Sequence, residues 1–149
     1  FMKIAICDDD RTDILITQKE LQNIVPKLCT APEIYEFSDG STMTEDILKT
    51  GIDVALLDID MPEVTGMELA AKLEEQNPQA IVIFISNHEE AVFEAIHYKP
   101  FRFIRKAYLQ AELSEALQSL KKQKEKRARF ITLDVKEQQI VLPVKEIVI

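Results

Sequence analysis

No apolar run in these 149 residues approaches the roughly 20 that a membrane helix needs. No charged, apolar and small-residue leader opens the chain either, so the expected location is the cytoplasm, with no membrane partner. Phe1 before Met2 reads as a residue left by cloning. Cysteine is scarce. Cys7 and Cys29 have neither metal-site nor redox spacing, which leaves them as small packing residues rather than a disulfide scaffold. The only histidines, His88 and His97, have no evident metal partner, and a zinc site is not expected. Internal repeats and low-complexity tracts are absent. With 46% apolar and 30% charged residues, the chain has the composition of one globular domain with a short appendage, and a disordered chain is excluded.

The charge is unevenly spread. Residues 1–108 hold 10 basic against 20 acidic side chains, whereas residues 109–149 hold 8 against 6. KKQKEKRAR (121–129) alone carries six basic residues and one acid. An acidic front repels nucleic acid, so any DNA contact has to come from the C-terminal side of it.

Along the front, short apolar runs alternate with helical patterns. KIAIC (3–7), EIYEF (33–37), DVALL (53–57), AIVIFIS (80–86) and FRFIRK (101–106) read as strands. Between and after them, helices are expected over 12–25, 42–50, 67–76, 89–98 and 109–127. SDGS (38–41) reads as a turn in which Gly40 supplies backbone freedom, and Gly51 stops the second helix. Strict alternation of this kind predicts a doubly wound α/β fold with a five-stranded parallel sheet. Residues 130–149 break the pattern. Their β-branched residues and Pro143 point to two or three short β segments, a β-rich C-terminal appendage.

In an open parallel sheet, function gathers at the carboxyl ends of the strands. Read in order, those ends carry Asp8 and Asp9, then Asp58, Ser86 and Lys106. Three converging carboxylates repel one another and call for a cation, and an oxygen-only donor set suits a hard ion such as Mg2+. A lysine and a hydroxyl opposite that ion can hold phosphoryl oxygens. Helix capping is the blander explanation for the Asp8–Asp10 run, and Asp10 fits that explanation alone. Two lysines compete for the last place. Lys99 opens the fifth strand and Lys106 closes it, so Lys106 is assigned to the site.

Taken as a set, DD, then LLDIDMP (56–62), then Ser86 and Lys106, resembles the receiver domain of bacterial two-component response regulators across roughly residues 2–125. The resemblance implies a flavodoxin-like, CheY-like sheet of order 2-1-3-4-5. It implies phosphorylation of Asp58 by a sensor histidine kinase, with Mg2+ held by Asp8, Asp9, Asp58 and the backbone carbonyl of Asp60. Ser86 and Phe103 stand at the family's switch positions, and a homodimer is expected on phosphorylation. Two positions depart from the pattern: Ala107 replaces a usual proline and Asn87 a usual small residue.

FRFIRK with the basic helix also resembles regulators whose output is a LytTR-type DNA-binding domain, the LytR/AlgR, accessory-gene-regulator-like group. On that basis residues 2–120 are the receiver, 121–129 a basic helical linker and 130–149 the start of a truncated DNA-binding domain. Those last residues are expected either to lack fixed structure or to pair with another chain, and DNA is reached only through the missing part. Two other readings remain at this point. A haloacid-dehalogenase-type phosphatase would use Asp58 as nucleophile and Asp60 as general acid. A binding module would use neither.

Overall fold

The computed structural model describes residues 2–28 and 32–138. Five parallel strands, β1 (Met2–Cys7), β2 (Pro32–Phe37), β3 (Val54–Asp58), β4 (Ile81–Ser86) and β5 (Arg102–Arg105), lie in the order β2-β1-β3-β4-β5. The helices are α1 (Arg11–Ile24), α2 (Gly40–Thr50), α3 (Gly66–Gln76), α4 (Val92–Ala95) and α5 (Leu109–Gln138). The expected doubly wound sheet is therefore present, and its order puts β1 and β3 side by side at the centre.

Both faces of the sheet are covered, as continuous apolar strands require. Along β1, Ile4 and Ile6 point into a cluster with Ile14 and Leu21 of α1 and Leu113, Leu117 and Leu120 of α5. Ala5 and Cys7 point the other way, toward Met43 of α2 and Leu69 and Leu73 of α3. Every residue of β3 is buried, which explains why this run shows no polar alternation.

Three expectations need correction. Gly40 opens α2 without a left-handed backbone; its requirement is space, since a Cβ there would meet the Val64 side chain at 2.7 Å. Gly51 does adopt φ 66° where α2 ends. The helix expected over 89–98 is broken: a 3-10 turn at Glu89–Ala91, one turn of α-helix, then another 3-10 turn at Ile96–Tyr98. Lys99 ends it in the left-handed region, one residue before Pro100.

The third correction concerns the appendage. α5 continues unbroken to Gln138, so residues 130–138 are helical rather than β. A strand needs a neighbour to pair its N–H and C=O groups, whereas a growing helix supplies its own. The Lys, Arg, Glu and Gln of 121–129 are good helix formers and carry the helix into the β-branched stretch. Residues 121–130 are exposed on every side. The remaining segment, 139–149, lies outside the described residues, as does Cys29.

Candidate functional site

β1 and β3 are register neighbours, with Cys7 opposite Leu57, so the residues just after them emerge at one edge of the sheet. Asp8, Asp9 and Asp58 there bring carboxylate oxygens within 4.8 Å of one another. Asp8 and Asp58 are buried, while Asp9 is exposed. Asp10 caps α1, accepting from the N–H groups of Thr12 and Asp13, as expected of a capping acid.

Lys106 reaches the same edge from the end of β5. Its Nζ lies 3.0 Å from Asp8 Oδ2 and 3.4 Å from Asp58 Oδ1. Lys99 precedes β5 and sits exposed at the opposite end of that strand. After Arg105 the chain enters a 3-10 turn, Lys106–Tyr108, that leads into α5, with no cis peptide among the described residues.

Burial and the neighbouring Asp8 push the Asp58 carboxyl up to about 7, while Lys106 and the Asp60 N–H pull it down. For Lys106, burial disfavours the ammonium. The bonds from Asp13 and Asp8 and the charge of Asp58 outweigh it, and the net direction is upward. Cys7 lies under these acids with its thiol pushed up to about 12, by burial first and then by Asp39 and Asp8. It donates to Met61 Sδ at 3.7 Å, so its place is in the packing and not in thiolate chemistry.

The third strand end contributes Ser86, whose side chain is buried. Its Oγ accepts the His88 N–H at 2.9 Å and donates to Asp60 Oδ2 at 3.4 Å. Asp60 Oδ2 also meets His88 Nδ1 at 2.6 Å, which raises the imidazole pKa, first through that hydrogen bond and then through the charge of Asp60. Phe103, on β5, is half-buried against the α2–α3 side of the core and borders a cavity with Glu89, Val92 and Arg105. Asn87 is exposed.

Three features were not anticipated. The His88–Asp60 pair joins the loops after β3 and β4 across 28 residues of sequence. Asp13 of α1 pairs with Lys106 at 2.8 Å across 93 residues. Gly66, at the start of α3, lies so close to the Asp58 carbonyl that any Cβ would collide with it. Only the glycine left a local signal, a small residue opening a helix just after the acid loop.

The donor set fits a hard divalent cation: two buried carboxylates and one exposed one converge, with the Lys106 ammonium beside them. Asp8, Asp9 and Asp58 are the side chains placed to hold it.

Solved structures with this fold include a CheY-like receiver domain protein from Methanospirillum hungatei JF-1, with TM-score 0.71 and 21% identity, matched over 85% of this chain and 98% of that one. Another is the response regulator TrrA of Thermotoga maritima in complex with Mg(2+)-BeF, with TM-score 0.70 and 21% identity over 80% and 99% of the two chains. Among curated proteins, the sensory transduction protein LytR of Streptococcus mutans is 26% identical over 99% of this chain and 64% of its own length. The transcriptional regulatory protein YpdB of Escherichia coli K12 is 25% identical over 80% of this chain and 47% of its own. The chain thus spans about half to two-thirds of the length of these relatives. The family model for the response regulator receiver domain matches residues 4–118, a signalling family rather than a phosphatase one. With that match over most of its length, and with the sheet order and strand-end acids of the fold, the chain belongs to the response regulator receiver domain family.

Proposed function

We propose that Asp58 is a phosphoacceptor, loaded by a sensor histidine kinase, and that the chain is the receiver part of a cytoplasmic transcription regulator. The observation that carries this reading is the convergence of Asp8, Asp9, Asp58, Ser86 and Lys106 on one sheet edge. Asp58 Oδ attacks phosphorus, the bond to the donor breaks, and its electron pair leaves with the donor. Mg2+ bound by Asp8, Asp9, Asp58 and the Asp60 carbonyl would supply positive charge to the phosphoryl oxygens. Lys106 offers a donor from the other side. Ser86 turns its hydroxyl from Asp60 to the new oxygens, and the change reaches Phe103 and α4 through the loop that carries His88.

Phe93 and Ile96 of the α4 segment are exposed and offer apolar surface to a second copy of the phosphorylated chain. The output reading rests on the relatives. The Streptococcus protein matches nearly the whole chain with 64% of its own length, and this kinship supports the reading of α5 as a linker to a LytTR-type DNA-binding domain. Incubating the protein with acetyl phosphate and Mg2+ should add one phosphoryl group by intact mass, and Asp58→Asn should abolish it. An unmodified wild type, or a modified Asp58→Asn, would refute the assignment.

A further inference from the structure

The Lys106 ammonium has three N–H donors and faces three carboxylates: Asp13 at 2.8 Å, Asp8 at 3.0 Å and Asp58 at 3.4 Å. The shortest contact is not to the acid that reacts. Asp13 stands in the first turn of α1 and is not one of the three acids grouped to hold a metal. Its side chain is 29% exposed, so solvation lowers the cost of keeping it charged, whereas Asp58 is nearly closed off. Lys106 therefore leans toward α1 and away from the oxygen that will carry phosphate.

We propose that Asp13 is a positioning residue: by holding Lys106, it limits the positive charge available at Asp58 and so slows the arrival of a phosphoryl group. This rests on the phosphoacceptor reading above. When acetyl phosphate reacts, Asp58 Oδ forms a bond to phosphorus and the P–O bond to acetate breaks with its electron pair. No proton changes hands and the total charge is conserved. The transferring group is anionic throughout, so its oxygens compete with Asp13 for the same ammonium. Removing the Asp13 charge frees one Lys106 donor for the incoming phosphoryl oxygens, and the step speeds up through that lysine.

The ordinary alternative is that Asp13 is only a first-turn acid favoured by the helix dipole. That role affects helix stability and leaves the transfer rate unchanged. Initial rates of phosphorylation by acetyl phosphate at saturating Mg2+, read by intact mass, separate the two. Asp13→Asn and Asp13→Ser should each react about three- to ten-fold faster than wild type, the scale for losing one competing carboxylate at a partly screened site. Asp13→Glu, which keeps the charge and can reach the lysine, should stay within about two-fold of wild type on the same scale. In a Lys106→Met background the gain from Asp13→Asn should vanish. Unchanged or slower rates in both neutral variants overturn the inference, as does a Glu variant as fast as Asn, or a gain that survives without Lys106. A wild type that takes no phosphoryl group overturns the functional reading and this inference with it. A wild type that reacts at the same rate as both neutral variants overturns the inference alone.

Discussion

The two sides of the molecule hold the acid site in different ways. On one, α1 of 14 residues and α5 of 30 pack a continuous row of isoleucines and leucines against the sheet. That side reaches Asp58 through Lys106, which three carboxylates grip from below solvent level. On the other, α4 is one helical turn between 3-10 turns, with Ala95 its single buried residue. It reaches the site through His88 and Asp60, an ion pair whose side chains are about half exposed. Exposed pairs are worth about 0–1 kcal/mol, so the second attachment is the weaker one. A phosphoryl group taken up at Asp58, as proposed, would meet Lys106 backed by packing on one side and the short α4 free to rearrange on the other, where α2 and α3 are themselves packed on the sheet. Regions with little buried surface open at lower free energy, and α4 is the element of this kind beside the site.

The contrast breaks most directly at Leu113. Its side chain is fully buried between α5 and the sheet. Leu113→Ala should cost about 3 kcal/mol, the middle of the range for a buried leucine whose cavity cannot collapse. For a chain of this size that lowers Tm by about 6–12 °C in calorimetry. A loss below about 1 kcal/mol would mean that the α1–α5 side is as loosely packed as α4.

The same contrast explains what could be read in advance. Strands such as VALL (54–57) were legible because burial on both faces leaves an unbroken apolar run, and the alternation of strands and helices then dictated a parallel sheet. Asp8, Asp58 and Lys106 were legible for the same reason, since each marks the carboxyl end of a strand. What stayed hidden is non-local or marginal. Asp13 finds Lys106 and His88 finds Asp60 only after the chain has crossed the sheet, and no local spacing encodes either meeting. The periodicity of 89–98 suggested one helix, yet a single buried alanine gives it too little packing to hold regular geometry through to Pro100. Residues 130–138 misled in the opposite direction. β-branched composition favours strands only where a neighbour exists, and here a strongly helical run continued into them.

Asp58 is where the two sides meet, bonded by Lys106 from one and by the Asp60 N–H from the other. In the metal-free protein its carboxyl is pushed up to about 7, mainly by burial and then by Asp8, against an ordinary carboxylate value of 3.8. A carboxyl raised by folding contributes most stability below its unfolded value, and the contribution is lost as pH rises through the folded value. Above pH 7, then, the ionised Asp58 destabilises the metal-free protein, by about 1–2 kcal/mol once solvent screening is allowed for. Asp58→Asn should be more stable by that amount in urea melts at pH 8 without divalent ions, and within about 0.5 kcal/mol of wild type near pH 4. An Asn variant less stable at pH 8 would mean that the Lys106 pair outweighs both burial and Asp8.

The smallest effect falls on the loose side. Ile96 is 60% exposed and Phe93 77%, so truncating either removes little area that folding has buried. Ile96→Ser should change the unfolding free energy by less than about 0.5 kcal/mol in urea, a tenth or so of what a core leucine can cost. A loss above about 1.5 kcal/mol would show that α4 is packed as tightly as α5, and the asymmetry would fail. Neutrality has a further consequence. An apolar side chain that contributes nothing to the monomer is free to contribute to a contact formed only after phosphorylation. The same Ile96→Ser chain, loaded with beryllofluoride and Mg2+, should then self-associate less than wild type in sedimentation. Equal association of the two would place the contact elsewhere on the α4–β5 side and leave the exposed isoleucine without a role in it.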